Sequence, residues 1–371
     1  MRLQEAKTFD LIWVVPSLAD LGGTEYLAVT FARLMAADGH RVRFITGTRL
    51  HPAWRERLGN QRPDRLEVIQ AADDTPAALC SLAENLHAEA PADLIQFLPI
   101  EAHCLAWLRR GLPLPVAGWE PTDLGPHVWW LADELAELIH RLDVLLVSNP
   151  VAAHHAAQRY GYQGRVQVVP NTVTAPAGTS AANRDSAVPV VGCIARLSAE
   201  KGIEYLLGAF SLLLQRLPTA QLALWGDGDD RERLQYLATM LGIASQVRFH
   251  GAFDPFRAID TVAAAADVFV LSSLFEGAPV ALLEVAARGR PVVATATSGA
   301  RWVCGDDYDW LVPVGDTSRL ASALAELLAS PPLRAEAGAQ LQQRCQHHFS
   351  AEQAVAALRA ACESTIQKAV P

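Results

Sequence analysis

Short apolar runs alternate with helical patterns along nearly the whole chain, and this alternation restricts the fold more than any other feature. Phe9–Val15, Arg41–Thr46, Leu66–Ile69, Leu94–Leu98, Val116–Gly118, Val144–Val147 and Arg165–Val169 read as strands. Between them, Tyr26–Ala37, Ala77–Ala90, Ala102–Arg110 and Leu131–Arg141 carry apolar residues at helical spacing. Short runs that are apolar on both faces suit a parallel sheet covered by helices on both sides. A small, polar stretch, Thr174–Ser186, interrupts the series and reads as a linker. A second series follows, with strands expected at Val191–Ala195, Gln221–Trp225, Val247–His250, Asp267–Leu271 and Pro291–Ala294, and an Ala- and Leu-rich helical tail from Thr317. The expectation is an α/β protein of two domains, residues 1–173 and 187–350, with a last helix over about 351–368 packing back on the first. A chain of 371 residues suits two cores better than one.

The formal net charge of -9 argues against a nucleic-acid protein and against broad attachment to anionic lipid. Arg49, Arg55, Arg57, Arg62 and Arg65 form a local basic cluster that could meet an anionic acceptor or a membrane surface. Glu56, Asp64 and Glu67 are interleaved with it, which favours a solvated face. No apolar run approaches the length of a membrane span, and the N-terminus lacks a secretory h-region. Six scattered cysteines without a CxxC pair read as reduced thiols, so a cytoplasmic location is expected.

The residues with chemistry cluster at strand ends. After the run Asp267–Leu271 come Ser272-Ser-Leu-Phe-Glu-Gly-Ala278, and a helix begins near Val280. Glu276, Gly277 and Ala278 therefore lie at the carboxyl edge of a sheet, where open α/β sheets bind ligands. Glu276 and Glu284, eight residues apart, either hold hydroxyl groups or are acids favoured by a helix start. In the first half, Gly22-Gly23 sits where a helix follows the first strand. It either turns backbone N–H groups toward a phosphate or makes a plain tight turn. It is not GxGxxG, and no acid ends the second strand, which disfavours a dehydrogenase. Arg196 and Lys201 flank another helix start and suit an anion such as a diphosphate; the alternative is surface pairing with Glu200 and Glu204. Trp225-Gly226-Asp-Gly228 is a further strand-end turn.

The stretch Trp119–Trp130 follows the fifth strand and holds Glu120, Asp123, His127 and three tryptophans. Trp129 and Trp130 read as core anchors of the next helix. Glu120 reads as functional, because a lone acid beside a buried strand is otherwise poorly placed. Asp307-Tyr-Asp309 and Asp227-Gly-Asp229 match the DxD spelling of metal–diphosphate sites, a weak signal among acidic turns. No metal and no cofactor are expected, the cations above doing a metal's electrostatic work.

Taken in order, these motifs resemble the retaining nucleotide-sugar glycosyltransferases of family 4. Gly22-Gly-Thr-Glu25 is similar to the family's GGxE loop, and Ser148-Asn-Pro150 and Val169-Pro-Asn171 to its segments near the hinge. Ala195–Gly202 is similar to its GRLxxEKG loop, Trp225–Gly228 to its GxG turn, and Glu276–Glu284 to its E-x7-E motif, with Pro291-Val-Val-Ala-Thr295 continuing it. The resemblance implies a GT-B fold, two Rossmann-like domains facing each other across a cleft that closes on the donor. It implies that Arg196 and Lys201 bind the donor diphosphate and stabilise the leaving group, and that Gly22 and Gly23 offer the diphosphate an N–H from the opposite domain. By the same resemblance, Gly226 lines the nucleotide site and Glu284 holds the ribose. Glu276 would hold donor-sugar hydroxyls with help from the N–H groups of Gly277 and Ala278. The reaction implied is transfer of a hexose or N-acetylhexosamine, UDP-linked by expectation, to a glycan or lipid-linked acceptor. Anomeric configuration would be retained, with peripheral contact at the inner membrane face.

Two departures stand out. Where the family usually has a histidine at the end of the fifth strand, this chain reads Gly118-Trp-Glu-Pro121. Either Glu120 takes over a hydroxyl contact, or activity or stereochemistry is altered or lost. After Thr297 the family's GGxxE becomes Ser298-Gly-Ala-Arg-Trp302. A catalytically impaired sugar-nucleotide or glycan-binding relative is thus the competing reading. A phosphorylase or epimerase of the same architecture is a third, disfavoured for the phosphorylase because no lysine stands out for a pyridoxal phosphate.

Overall fold

The computed structural model describes residues 7–59, 62–126, 132–173 and 188–369. They form two compact units, residues 1–171 with 351–371, and residues 172–350. The linker read at Thr174–Ser186, and His127, Trp129 and Trp130, lie outside the described residues.

In the first unit, strands β1 (Asp10–Val15), β2 (Arg41–Thr46), β3 (Leu66–Gln70), β4 (Leu94–Phe97), β5 (Val116–Glu120), β6 (Val144–Val147) and β7 (Val166–Val168) form one sheet. All its pairings are parallel, and the order is β3-β2-β1-β4-β5-β6-β7. The helices between them are α1 (Gly23–Ala37), α2 (Pro52–Leu58), α3 (Pro76–Glu89), α4 (Ala102–Arg110), α5 (Ala132–Leu138) and α6 (Pro150–Tyr160). β1, β4, β5 and β6 are buried almost throughout, because both sheet faces are covered. On one face, Phe31 of α1 meets Trp119 edge-on at 4.9 Å. On the other, Ile12, Ile95, Phe97 and Leu145 join the apolar sides of α3, α4 and α6.

Helix starts follow a repeated local rule: a polar cap followed by proline. Thr75 caps α3 and Asn149 caps α6 through their side chains, each with proline as the first helical residue. Proline has no N–H to leave unpaired there, and its φ is already helical. Ser148-Asn-Pro150 is thus a capped helix start. His51-Pro52 begins α2 in the same way, a helix absent from the reading above because only seven residues follow. Two expected boundaries shift. α1 begins at Gly23, not near Tyr26, and β5 continues through Glu120, so the loop starts at Pro121.

In the second unit, β8 (Val190–Ile194), β9 (Gln221–Trp225), β10 (Val247–Gly251), β11 (Val268–Leu271), β12 (Val292–Thr295) and β13 (Leu311–Val312) form a parallel sheet ordered β10-β9-β8-β11-β12-β13. The helices are α7 (Ile203–Leu214), α8 (Arg231–Met240), α9 (Pro255–Ala264), α10 (Val280–Ala286), α11 (Ser298–Cys304), α12 (Thr317–Ala329) and α13 (Pro331–His348). The chain then re-enters the first unit as α14 (Ala351–Ala369), which packs on α1, β6 and β7 and joins Arg359 to Asp38 at 3.1 Å. All six cysteines are buried free thiols. No helix among the described residues is long and apolar enough to cross a membrane.

Candidate functional site

Each sheet reverses its strand order once, between β1 and β4 in the first unit and between β8 and β11 in the second. Loops leaving neighbouring strands at such a point diverge to opposite faces and leave a crevice beyond the carboxyl ends.

In the second unit that point is bounded by the loops after β8 and after β11, and hydrogen bonds stitch the two together. Leu274 N donates to Glu200 O at 2.8 Å, and Ser272 Oγ donates to Lys201 O at 2.9 Å. Gly202 has φ +58, and a Cβ there would run into the Ser272 carbonyl oxygen, so only glycine allows this approach. The stitching places Lys201, in the 3-10 turn Ala199–Lys201, with its Nζ 2.8 Å from Glu276 Oε1. Ser273 Oγ donates to the same Glu276 oxygen at 2.7 Å. The Glu276 carbonyl accepts from Gly299 N and from Ser298 Oγ, each at 3.0 Å. A Cβ on Gly299 would come within 2.6 Å of the Gly277 carbonyl oxygen and 2.7 Å of that of Glu276. The glycine kept where the family's GGxxE pattern is otherwise lost therefore seats α11 against the Glu276 loop.

Arg196 is exposed in the loop after β8 and has no ion-pair partner among the described residues. Its loop is strapped to the turn after β9: Leu197 N donates to Asp227 O at 2.9 Å, and Asp230 N donates to Leu197 O at 3.0 Å. Gly226, at φ +133, lies so close to Ala195 that any Cβ would overlap its carbonyl oxygen. The Gly226 N–H donates to Gly251 O at 2.8 Å, so this glycine's own donor is spent inside the protein and its contribution is close packing.

The alternative surface pairs, with Glu200 and Glu204, are not made by Lys201 among the described residues. Glu200 accepts from Ser198 Oγ, and Glu204 pairs with Arg233 at 2.7 Å. Gly277 and Ala278 are buried just ahead of Pro279, the residue that precedes the first turn of α10. Glu284, in α10, is buried against Arg288, whose Nη1 lies 2.6 Å from Glu284 Oε2. Arg288, Ser273, Thr295 and Ser298 were not singled out in the sequence. Arg288 had a visible signal, a cation four residues after Glu284 and so on the same helical side. Ser273 and Thr295 had none, because the bond from Thr295 Oγ1 to Ser273 O, at 2.6 Å, crosses between strand ends.

In the first unit, Gly22 is the N-cap of α1 at the strand-order reversal, and Gly23 is its first helical residue. A Cβ on Gly22 would run into the Glu25 carboxylate. Glu120 ends β5 and is buried. Its Oε1 accepts from Thr122 N at 3.1 Å, and its Oε2 has no hydrogen-bond partner among the described residues. Burial pushes its carboxyl up to about 7, opposed by hydrogen bonding from Thr122 and reinforced by the nearby Glu101 charge. In α4, burial pushes His103 down to about 3.

No group of three or more His, Cys, Asp or Glu side chains that could hold a metal occurs among the described residues. Asp227 pairs instead with Arg231 at 3.1 Å, and Tyr308 between Asp307 and Asp309 is buried, its hydroxyl donating to Val292 O. Of the basic cluster, Arg49 pairs with Asp74 at 3.2 Å.

A family model described as glycosyl transferases group 1 matches residues 180–344. The lipopolysaccharide core biosynthesis glycosyltransferase LpsE of Rhizobium meliloti is 32% identical over 253 residues, 64% of this chain and 71% of that protein. A GDP-mannose-dependent alpha-(1-6)-phosphatidylinositol monomannoside mannosyltransferase of Mycolicibacterium smegmatis is 35% identical over 158 residues, 40% of this chain and 41% of that protein. The structure of Anabaena HepE in complex with UDP and glucose superposes with a TM-score of 0.77 at 19% identity, covering 96% of this chain and 100% of HepE. That likeness shows the two-sheet GT-B fold.

Proposed function

Because the chain belongs to the glycosyl transferases of group 1, we propose that it moves a sugar from a nucleoside diphosphate to a glycan or lipid-linked acceptor, with retention of anomeric configuration. The observation that carries the reading is the charged pair at the β8/β11 reversal, Lys201 held on Glu276, with exposed Arg196 in the same loop after β8. A diphosphate would take both cations, and its leaving-group charge, which grows as the glycosidic bond breaks, is the charge they would stabilise. Glu276, released by Lys201, would accept hydrogen bonds from sugar hydroxyls, with Gly277 and Ala278 beside it. Glu284 would hold the ribose. The departing phosphate would take the acceptor's proton, so no protein base is required.

For the base, uracil and guanine are the two candidates to test. HepE, a structural neighbour, is described with UDP and glucose, whereas the mycobacterial relative is described as GDP-mannose-dependent. The relationship to a lipopolysaccharide core biosynthesis enzyme supports a glycan or lipid-linked acceptor. A panel of UDP-, GDP- and ADP-sugars, read by thermal shift and by nucleotide release, tests the proposal. A donor that both raises Tm and is turned over supports it, since a ligand of the native state stabilises that state. Binding of several donors with no release, even with glycan acceptors, supports the second reading, an impaired binder. That reading is favoured by Glu120 standing where the family usually has histidine. No binding to any nucleotide overturns both.

A further inference from the structure

We propose that Arg288 is a positioning residue that fixes Glu284 for contact with the ribose hydroxyls of the donor nucleotide; this rests on the ribose reading of Glu284 above. Arg288 lies one helical turn beyond Glu284 and bridges two helices. Its Nη1 donates both to Glu284 Oε2, at 2.6 Å, and to the Glu284 carbonyl oxygen, at 2.9 Å. Its Nε donates to Asp260 Oδ1 of α9 at 2.6 Å. The side chains of Glu284 and Arg288 are each only 6% exposed, whereas that of Asp260 is 62% exposed.

This differs from the pairs that decorate helix surfaces. Solvated i,i+4 pairs contribute little, and buried pairs are often no more stabilising than apolar side chains of the same volume. What a guanidinium adds here is geometry. Its planar fork grips the carboxylate, the main chain below it and a second helix at once, which the single ammonium of lysine cannot do. One carboxylate oxygen is thereby fixed, which sets the plane in which the carboxylate can meet a vicinal diol. A buried acidic side chain gripping ribose hydroxyls is a general solution in nucleotide-binding α/β proteins.

Calorimetric titration of the full chain with UDP, 2′-deoxy-UDP, GDP and 2′-deoxy-GDP tests the assignment. The wild type should prefer the ribose form about tenfold or more, the scale of a hydrogen bond to a charged group. Arg288→Gln should cut that preference to within about threefold, and Arg288→Lys should keep part of it. In turnover, Arg288→Gln should raise the donor KM more than it lowers kcat, as expected when binding common to ground and transition states is lost. A purely structural residue would lower Tm and leave the ribose preference intact, and that result overturns the proposal. If Arg288→Gln does not fold, Asp260→Asn decides, since its exposed carboxylate can be changed without opening the core; an unchanged preference there overturns the proposal. Glu284→Gln separates the two layers. If it keeps the preference, the ribose reading of Glu284 falls. If it loses the preference while the Arg288 variants keep theirs, only the role of Arg288 falls.

Discussion

Lys201 Nζ lies 2.8 Å from Glu276 Oε1, joining the loop after β8 to the loop after β11, and Ser273 shares the same carboxylate oxygen. The cation and the anion proposed to engage the diphosphate and the adjoining sugar of a sugar nucleotide thus neutralise each other while partly buried. A lone charge at either position would lose solvation without compensation. On the proposed reading, binding a donor would exchange this one ion pair for contacts to phosphate and to sugar.

Lys201→Ala should lower turnover by about a hundredfold or more, the scale seen when one preorganised group facing developing charge is removed. The measurement is kcat on the best donor of the panel, with a thermal melt to establish folding. An unchanged kcat would remove Lys201 from the leaving-group role.

Gly299→Ala should disturb the same carboxylate without touching it. The added methyl would press on the carbonyl oxygens of Glu276 and Gly277, which cannot move independently of the loop. Overpacking of this kind costs about 1–3 kcal/mol. A fall in Tm together with a loss of donor affinity is expected; a variant with native Tm and affinity would contradict this packing.

Gly226→Ala should be a stability variant first. Its Cβ would collide with the Ala195 carbonyl oxygen, at a φ of +133 that side chains avoid. Denaturant unfolding should show a loss on the order of 2 kcal/mol or more, and the strap holding Arg196 should loosen with it.

Glu120 and His103 should give opposite pH signatures. The Glu120 carboxyl sits at about 7 in the folded protein, against an ordinary value of 4.5. Between those values the folded state binds more protons than the unfolded chain, so stability falls as pH rises from 4.5 to 7 and is level above. The full effect is about 3 kcal/mol. His103 is pushed down to about 3 from 6.5. The unfolded chain therefore takes up the extra proton, and stability falls as pH drops from 6.5 to 3. The Tm of Glu120→Gln minus that of the wild type should increase from pH 5 to pH 8, and a flat difference would sink the buried-carboxyl assignment. Full catalytic activity in the same variant would make Glu120 structural.

Much of this was written in the chain itself. Strands buried on both faces have to be short and apolar throughout, so β1, β2, β8 and β9 stand within a residue of where apolar runs place them. Caps such as Thr75-Pro76 and Asn149-Pro150 leave a local trace because the unpaired N–H groups there need local partners, although on apolar spacing alone α3 is expected to begin at Ala77 and no helix is expected at α6. The glycines at 202, 226 and 299 could be seen but not understood, because what each makes room for lies in another loop. Only the folded chain decided that Lys201 neutralises Glu276 rather than Glu200 or Glu204, that Arg288 ties Glu284 to Asp260, and that Glu120 ends a strand with one oxygen unpartnered among the described residues. The physical reason is range. Periodicity and capping act within one turn or one strand and leave a trace along the sequence. At the site of the second unit, ion pairs and close backbone approaches join residues up to 75 positions apart, and they exist only once parallel strands bring their ends together.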